Sequence, residues 1–430
     1  MDLREKITTH KAEIGLVGLG YAGLPMGIEF ARSGLTVHGI DNDSAKVRDL
    51  NQGKSHVQDV EDTVLQSVID SGHFCAHSEY QVISQLDCIL ICVPTPLRQT
   101  KDPDISYIID AAQNIRKHLH KNMLIVLQST TYPGTTDEVL MVEFQKEGFE
   151  IGKDLFLAFS PERVDPGNTT FNTQNTPKIV GGVTPECTEM ARLLYEQATD
   201  KVIAVSSSAT AEMVKLLENT FRAVNVGLVN EIAIMCDKLG VSVWEVIEAA
   251  ATKPFGFMPF YPGPGLGGHC IPIDPLYLSW KLKTLNYNAR FIELASEVNT
   301  QMPEYCVHQI VNVLNQNQKC VNGTRVLMLG VSYKRDVSDV RESPALDILR
   351  LLEGRGATVD YSDPYVPELH IDGTYKKSVS LSRDTVSEYG LVVVVTDHTG
   401  LNYQMIQKSA SLIFDTRDVF SKTHDNVVKL

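Results

Sequence analysis

The chain has 430 residues, 43% hydrophobic and 21% charged, which is the composition of a soluble globular protein too long for one core, so two or three domains are expected. A formal charge of −14 excludes nonspecific nucleic-acid binding and means that any phosphate ligand needs local cations or helix N-termini. Eight cysteines lie scattered without a C-x-x-C pair or zinc spacing, Met1–Lys11 is not a secretory signal, and no apolar run approaches the ~20 residues of a membrane helix, so a reducing, cytoplasmic location without membrane or metal is expected.

The strand Ile14–Val17 runs into Gly18-Leu19-Gly20-Tyr21-Ala22-Gly23, the helix Leu24–Ser33 follows, and the strand Leu35–Ile40 ends at Asp41. Strand, glycines, helix and acid in this order form a dinucleotide fingerprint. The first glycine permits the tight turn, the second admits a pyrophosphate onto the helix N-terminus, and the third lets helix and strand pack. Asp41 is placed to accept from ribose hydroxyls, and its charge repels a 2′-phosphate, so NAD is expected rather than NADP. Further strands are read at Cys88–Val93, Leu124–Leu127 and Leu155–Ala158, with Cys88 and Cys92 as small core residues. Thr130 and Glu162 follow strand ends, where parallel sheets hold ligand groups; turn and cap roles are the plainer alternative. This first α/β domain spans residues 1–205.

From Ala209 the pattern changes. Val214, Leu217, Phe221, Val224 and Leu228 recur at helical spacing after the capping cluster Ser206–Ser208, which predicts a long helix. Such a helix between two sheet domains commonly packs against its copy, so a homodimer or larger homo-oligomer is expected. Lys215 and Asn219 share one face of it, with Arg222 nearly a turn further, and a solvated face is the commonest fate of such residues. Helices dominate this central region, 206–315, except across Pro254–Pro275. There Cys270 follows Gly265, Gly267 and Gly268 and precedes Asp274. A free cysteine is usually a packing residue, but these glycines argue for a tightly turned loop on which a ligand can reach the thiol. His269 either lowers the thiol pKa or makes a backbone contact.

Strands resume at Arg325–Gly330, Ala357–Tyr361, Leu391–Thr396 and Leu412–Asp415, giving a second α/β domain over 316–430. Its turn, Gly330-Val331-Ser332-Tyr333-Lys334, lacks the full glycine set and suits a different nucleotide, with Lys334 meeting the phosphate. The fold class is α/β: two Rossmann-like doubly wound domains joined by a central helical region with a long helix. A nicotinamide site and an accessible thiol in one chain point to oxidation of an alcohol to an acid, the thiol trapping the intermediate aldehyde.

These motifs together resemble the UDP-glucose/GDP-mannose dehydrogenase family over nearly the whole chain. The markers are Gly18–Gly23, Val93-Pro94-Thr95-Pro96, Ser129-Thr130, Ser160-Pro161-Glu162, Lys215 with Asn219, Gly267-Gly268 with Cys270 and Asp274, and Tyr333-Lys334 through Arg341-Glu342-Ser343-Pro344. The resemblance implies that Cys270 forms a thiohemiacetal and then a thioester, that Lys215 stabilises the oxyanion with Asn219 beside it, and that Asp274, Thr130 and Glu162 orient or deprotonate water. It implies Lys46, Thr95, Thr130 and Arg341 near the cofactor, and Glu162, Lys215, Asn219, Tyr261, Gly265, Gly267 and Lys334 at a UDP-sugar. The form His269-Cys270-Ile271-Pro272 is similar to the branch acting on UDP-N-acetylhexosamines, with UDP-N-acetylglucosamine first and the mannosamine, galactosamine and glucose sugars as alternatives. No clear counterpart exists for an arginine donated across the dimer; Lys253 is the nearest basic residue. The implied product, a uronic acid, feeds surface polysaccharide synthesis. A two-electron hydroxyacid-type dehydrogenase shares the domain order but has no use for the cysteine loop, and a non-catalytic nucleotide-sugar sensor has no use for an intact Cys270, Lys215, Asn219 and Asp274.

Overall fold

The structure, a computed structural model, describes residues 1–98, 102–165, 167–168, 170–420 and 424–430. It divides into two compact units, Met1–Glu218 with Leu276–Tyr287, and Asn219–Pro275 with Asn288–Leu430.

Among the described residues the first unit carries eight strands: β1 (Glu13–Val17), β2 (Thr36–Ile40), β3 (Phe74–His77), β4 (Cys88–Ile91), β5 (Met123–Leu127), β6 (Leu155–Phe159), β7 (Lys178–Gly182) and β8 (Val202–Ala204). They lie in the order β3-β2-β1-β4-β5-β6-β7-β8. All neighbours run parallel except β6 and β7, which pair antiparallel. The first six strands thus follow the doubly wound order 3-2-1-4-5-6, whose reversal between β1 and β4 opens a crevice at the carboxyl ends. Strands β4 and β5 are buried throughout, as sheets covered on both faces require. Cys88 and Cys92 lie in this core.

The second unit holds β9 (Arg325–Leu329), β10 (Thr358–Ser362), β11 (Glu368–Ile371), β12 (Thr374–Lys377), β13 (Leu391–Val394), β14 (Ile413–Asp415) and β15 (Val427–Lys429). Five of these form a parallel sheet ordered β10-β9-β13-β14-β15, and β11 with β12 make a separate antiparallel hairpin. This is the other doubly wound order, 2-1-3-4-5, with its reversal at β9 and β13.

The long helix runs Ser208–Leu239, continuing through Gly227, where a Cβ would sit 3.1 Å from Ala295 of the helix Arg290–Gln316. Its start is capped by Ser207, whose Oγ accepts from the Thr210 amide at 3.1 Å. Inside the helix Arg290–Gln316, Pro303 has no N–H to give to the Asn299 carbonyl one turn earlier. That carbonyl instead faces Gly265, 3.1 Å from where a Cβ would stand.

Candidate active site

In the first unit the glycine turn meets its expected needs one residue at a time. Gly18 has φ of +96°, and a Cβ there would lie 2.6 Å from the Cys92 carbonyl oxygen; at Gly23 it would lie 2.0 Å from the Gly18 oxygen. Both positions are closed by the protein's own backbone. At Gly20, among the described residues and apart from its chain neighbours, nothing lies within 4 Å of a Cβ, so this side of the turn is open for a ligand to approach. The helix Gly23–Arg32 begins at Ala22 without a side-chain cap, leaving its N-terminal amides to a phosphate. Leu19 is buried and Tyr21 exposed. Asp41, at the end of β2, accepts from the Leu19 amide at 3.0 Å and from Lys46 Nζ at 2.9 Å, so the acid and Lys46 are one paired group at the mouth of the turn. These residues fit NAD: a cradle that only glycine leaves open, an uncapped helix end and a carboxylate at the ribose position.

Thr95 and Thr130, both half-buried, stand at the carboxyl ends of β4 and β5. The Thr95 carbonyl accepts from Tyr277 Oη at 2.7 Å, and Ser129 bonds the carbonyls of Ile91 and Val93 at 3.2 and 2.8 Å. Glu162 follows β6. Its Oε1 accepts from the Arg163 and Val164 amides at 2.8 and 2.9 Å, and its Oε2 from Gln128 at 2.8 Å and Lys178 at 3.0 Å. Burial works against this charge, but Lys178 and the two amides outweigh it and hold the carboxyl below the ordinary glutamate value. Lys215 is buried, not solvated, and its ammonium donates to the Glu162 carbonyl oxygen at 2.7 Å. Glu212, also on the long helix, is buried and accepts from the Gly134 and Thr136 amides and the Thr136 hydroxyl at 2.5, 2.9 and 2.7 Å. Burial pushes its carboxyl up.

In the second unit the cysteine loop is seated on glycines. A Cβ at Gly267 would stand 2.7 Å from Tyr333 Cβ and 2.9 Å from the Glu342 oxygen; Gly268, with φ of +83°, lies against the Tyr333 ring and donates to the Arg341 carbonyl at 3.0 Å. Gly263 donates to Asn230 at 3.0 Å, and Asn230 in turn donates to Asn299 at 2.9 Å, both amides being buried. Beyond this, Cys270 is half-buried, and its carbonyl accepts from the Asp274 amide at 2.8 Å, where the helix Asp274–Thr284 begins. Asp274 is buried and receives Asn219 Nδ2 at 2.5 Å. Asn219 is therefore a buried polar residue with a dedicated partner, and the solvated-face reading fails for it as for Lys215.

Arg341 is held by Asp339 at 2.7 Å and donates to His269 Nδ1 at 3.1 Å. A guanidinium only donates, so Nδ1 accepts and the fixed positive charge beside His269 is Arg341. Lys334 stands on the turn after β9, where its carbonyl accepts from Ser332 Oγ at 2.9 Å. Tyr261 is exposed and stacks on Trp244 at 6.4 Å. Lys253 lies over the exposed Phe255 ring at 5.1 Å.

Sequence pattern alone missed Lys178, Gln128, Glu212 and the Asn230–Asn299 pair. Lys178 opens a strand, a position where lysine normally reaches solvent. Glu212 and Asn230 lie on the long helix, and their only signal is a polar residue at a spacing that faces inward.

A 3-2-1-4-5-6 sheet with this glycine turn and acidic strand end defines an NAD-dependent dehydrogenase, and the second unit carries the other doubly wound sheet order. The NAD binding, central and UDP binding domains of the UDP-glucose/GDP-mannose dehydrogenase family match residues 12–199, 209–301 and 327–422. The chain belongs to that family and is an NAD-dependent nucleotide-sugar dehydrogenase. It is 33% identical over 390 residues to UDP-N-acetyl-D-glucosamine 6-dehydrogenase of Pseudomonas aeruginosa, covering 90% of this chain and 88% of the other. It is 33% identical over 422 residues to UDP-N-acetyl-D-mannosamine dehydrogenase of Methanococcus maripaludis, covering 95% and 93%. The solved structure of the UDP-N-acetylmannosamine dehydrogenase of Pyrococcus horikoshii superposes with a TM-score of 0.88 at 31% identity, over 97% of this chain and 98% of that one. Among the described residues no helix is long and apolar enough to cross a membrane.

Proposed function

We propose that the protein oxidises the C6 alcohol of a UDP-N-acetylhexosamine, UDP-N-acetylglucosamine first, to the uronic acid in two steps. The observation that carries this reading is the Cys270–Asp274 turn: a half-buried cysteine whose carbonyl opens a helix, with the helix's first carboxylate buried and tied to Asn219 at 2.5 Å. Bound NAD supplies the two-electron acceptor for each oxidation. The first oxidation leaves an aldehyde, to which the Cys270 thiolate adds to give a thiohemiacetal. The second gives a thioester, and water cleaves it, releasing the acid and the thiol. Lys215 stabilises the oxygen charge that develops in both oxidations. Asp274, with Thr130 and Glu162, orients or deprotonates the water. Lys334 takes the UDP phosphates, with Tyr261, Gly265 and Gly267 along the sugar, while Lys46, Thr95 and Arg341 serve the cofactor.

The names of the relatives support the N-acetylhexosamine class. A second reading, UDP-N-acetylmannosamine, is favoured by the Pyrococcus horikoshii structure. Residues 1–205 then form the NAD domain, 206–315 the pairing region and 316–430 the UDP domain. Leu217, Phe221, Leu228 and Met235 on the long helix are 60, 46, 56 and 45% exposed, an apolar stripe that suits a second copy of the chain. Leu228→Glu should lower the mass found by light scattering.

The test is NADH absorbance against a panel of UDP-sugars, with acid product counted. Two NADH per sugar are expected for the true substrate, and Cys270→Ser should make no acid. One NADH per sugar favours the two-electron dehydrogenase, and tight UDP-sugar binding without NADH favours the sensor.

A further inference from the structure

The loop that carries Cys270 runs first along the seam between the long helix, from Asn219 onward, and the helix Arg290–Gln316. Gly227 lets these two backbones close, since a Cβ there would lie 3.1 Å from Ala295 Cα. Two buried amides meet across the seam, Asn230 at 0% and Asn299 at 5% exposure. Asn230 Oδ1 accepts from the Gly263 amide at 3.0 Å, Asn230 Nδ2 donates to Asn299 Oδ1 at 2.9 Å, and Asn299 Nδ2 donates to the Ala223 carbonyl at 3.1 Å. A backbone N–H only donates and a carbonyl only accepts, so the two ends of this chain fix the sense of both side chains between them. Neither amide can turn over without setting donor against donor or acceptor against acceptor.

Asn299 meets the loop a second time through its backbone. Pro303 leaves the Asn299 carbonyl without its helical donor, and Gly265, with φ of +131°, lies against that oxygen. A Cβ at Gly265 would stand 3.1 Å from it and 3.5 Å from the Pro303 ring. The stretch Gly263-Pro264-Gly265 is thus gripped from the helix side. The far end is held by the Gly268 amide on the Arg341 carbonyl at 3.0 Å, and Cys270 follows two residues later. A chain this rich in glycine has little stiffness of its own, so its anchors decide where the thiol stands.

We propose that Asn230 and Asn299 are positioning residues for Cys270: a directional amide pair that ties the entry of the cysteine loop to the central helices. This rests on the reading of Cys270 as the nucleophile. Both amides act through the loop backbone. Losing them leaves cofactor binding and removal of the first hydride in place, but spoils the approach of the thiol to the aldehyde.

The experiment compares Asn230→Ala, the double variant Asn230→Leu with Asn299→Leu, and Cys270→Ser. The double variant replaces both partners by apolar groups of similar size, so it strands neither amide of the pair and folds even where Asn230→Ala does not. Melting curves and NAD titration report the fold. Single-turnover NADH traces, with the UDP-sugar that yields two NADH in wild type, separate the two oxidations. Iodoacetamide labelling read by peptide mass spectrometry gives the reactivity of Cys270. The expected result is NAD affinity within about twofold of wild type, a first oxidation within about threefold, and a second slowed by about 100-fold, the scale of a reacting group displaced by roughly 1 Å. The labelling rate of Cys270 should change by about threefold or more, because the loop no longer holds one place. A folded variant whose two oxidations and labelling rate match wild type would overturn the proposal and leave the amide pair as packing. Equal loss in both oxidations would overturn it too, since the effect would then not pass through the thiol. Cys270→Ser that makes acid at the wild-type rate would instead overturn the nucleophile reading beneath it.

Discussion

Asn219 on the long helix donates its amide to the Asp274 carboxylate across 2.5 Å, with both side chains buried. The pair fixes the residue that closes the Cys270 turn, and it does so with one neutral and one acidic partner. Replacing the amide by a carboxylate puts two acids at a separation where only one can ionise, so a proton is shared and one pKa rises. A carboxyl whose folded pKa is raised favours folding only while it is protonated, and that contribution is lost as pH rises. Asn219→Asp should therefore lower the melting temperature more at pH 8 than at pH 5, with activity below about 1% of wild type. Calorimetry at the two pH values checks this, and an equal penalty at both would assign the effect to packing.

The two outer glycines of the dinucleotide turn and the middle one should fail differently. A methyl at Gly23 meets the Gly18 carbonyl oxygen at 2.0 Å, and Gly23→Ala should unfold or strongly destabilise the first unit. Gly20→Ala meets nothing within 4 Å among the described residues beyond its chain neighbours, so its melting temperature should hold while NAD affinity falls by about tenfold. Melting curves and NAD titration separate the two.

Asp41→Asn keeps an acceptor for the Leu19 amide, which wild type makes at 3.0 Å, and removes the charge paired with Lys46. With the repelling carboxylate gone and the lysine released, the NADP to NAD ratio of kcat/KM should rise by about tenfold or more. An unchanged ratio would show that Asp41 serves only the turn.

In the second unit Asp363 occupies the place that Asp41 holds in the first, at the end of the second strand. Its Oδ2 accepts from the Val331 and Ser332 amides at 2.8 and 3.2 Å and pairs with His398 Nε2 at 3.0 Å, while its Oδ1 takes the Tyr365 amide at 2.8 Å. Burial works against the charge, but these partners outweigh it and hold the carboxyl below its ordinary value of 3.8. A depressed carboxyl contributes stability above that ordinary value, and the contribution is lost as pH falls through the folded pKa. Wild type should thus lose stability on going from pH 5 to pH 3, and Asp363→Asn should be less stable at pH 7 with a flatter acid limb.

Much of this was legible before any fold was known. The β1 turn, the β2 acid and the long helix carry their information locally, in glycine spacing and helical period. The second glycine turn was legible as a turn, but Asp363 gave no sign that it is consumed by His398, 35 residues away. Lys215 and Asn219 show the harder case: their shared face was plain from spacing, whereas its burial depends on the turn after β6 and on Asp274. Lys178 and Gln128 were illegible, since a four-donor cage around Glu162 is assembled from three strand ends far apart in the chain. The antiparallel β7 that delivers Lys178 breaks an otherwise parallel series and leaves no mark in composition.

The glycines of the cysteine loop are each pressed against the second doubly wound unit, Gly267 and Gly268 on Tyr333, Gly265 on Pro344 and Gly263 on Arg417. Attempts to retune this enzyme for another sugar by varying the loop alone will mostly collide with that bed. Productive libraries would diversify Tyr333 and Pro344 in concert with the loop, making the far end of the chain the practical handle on what the thiol is allowed to meet.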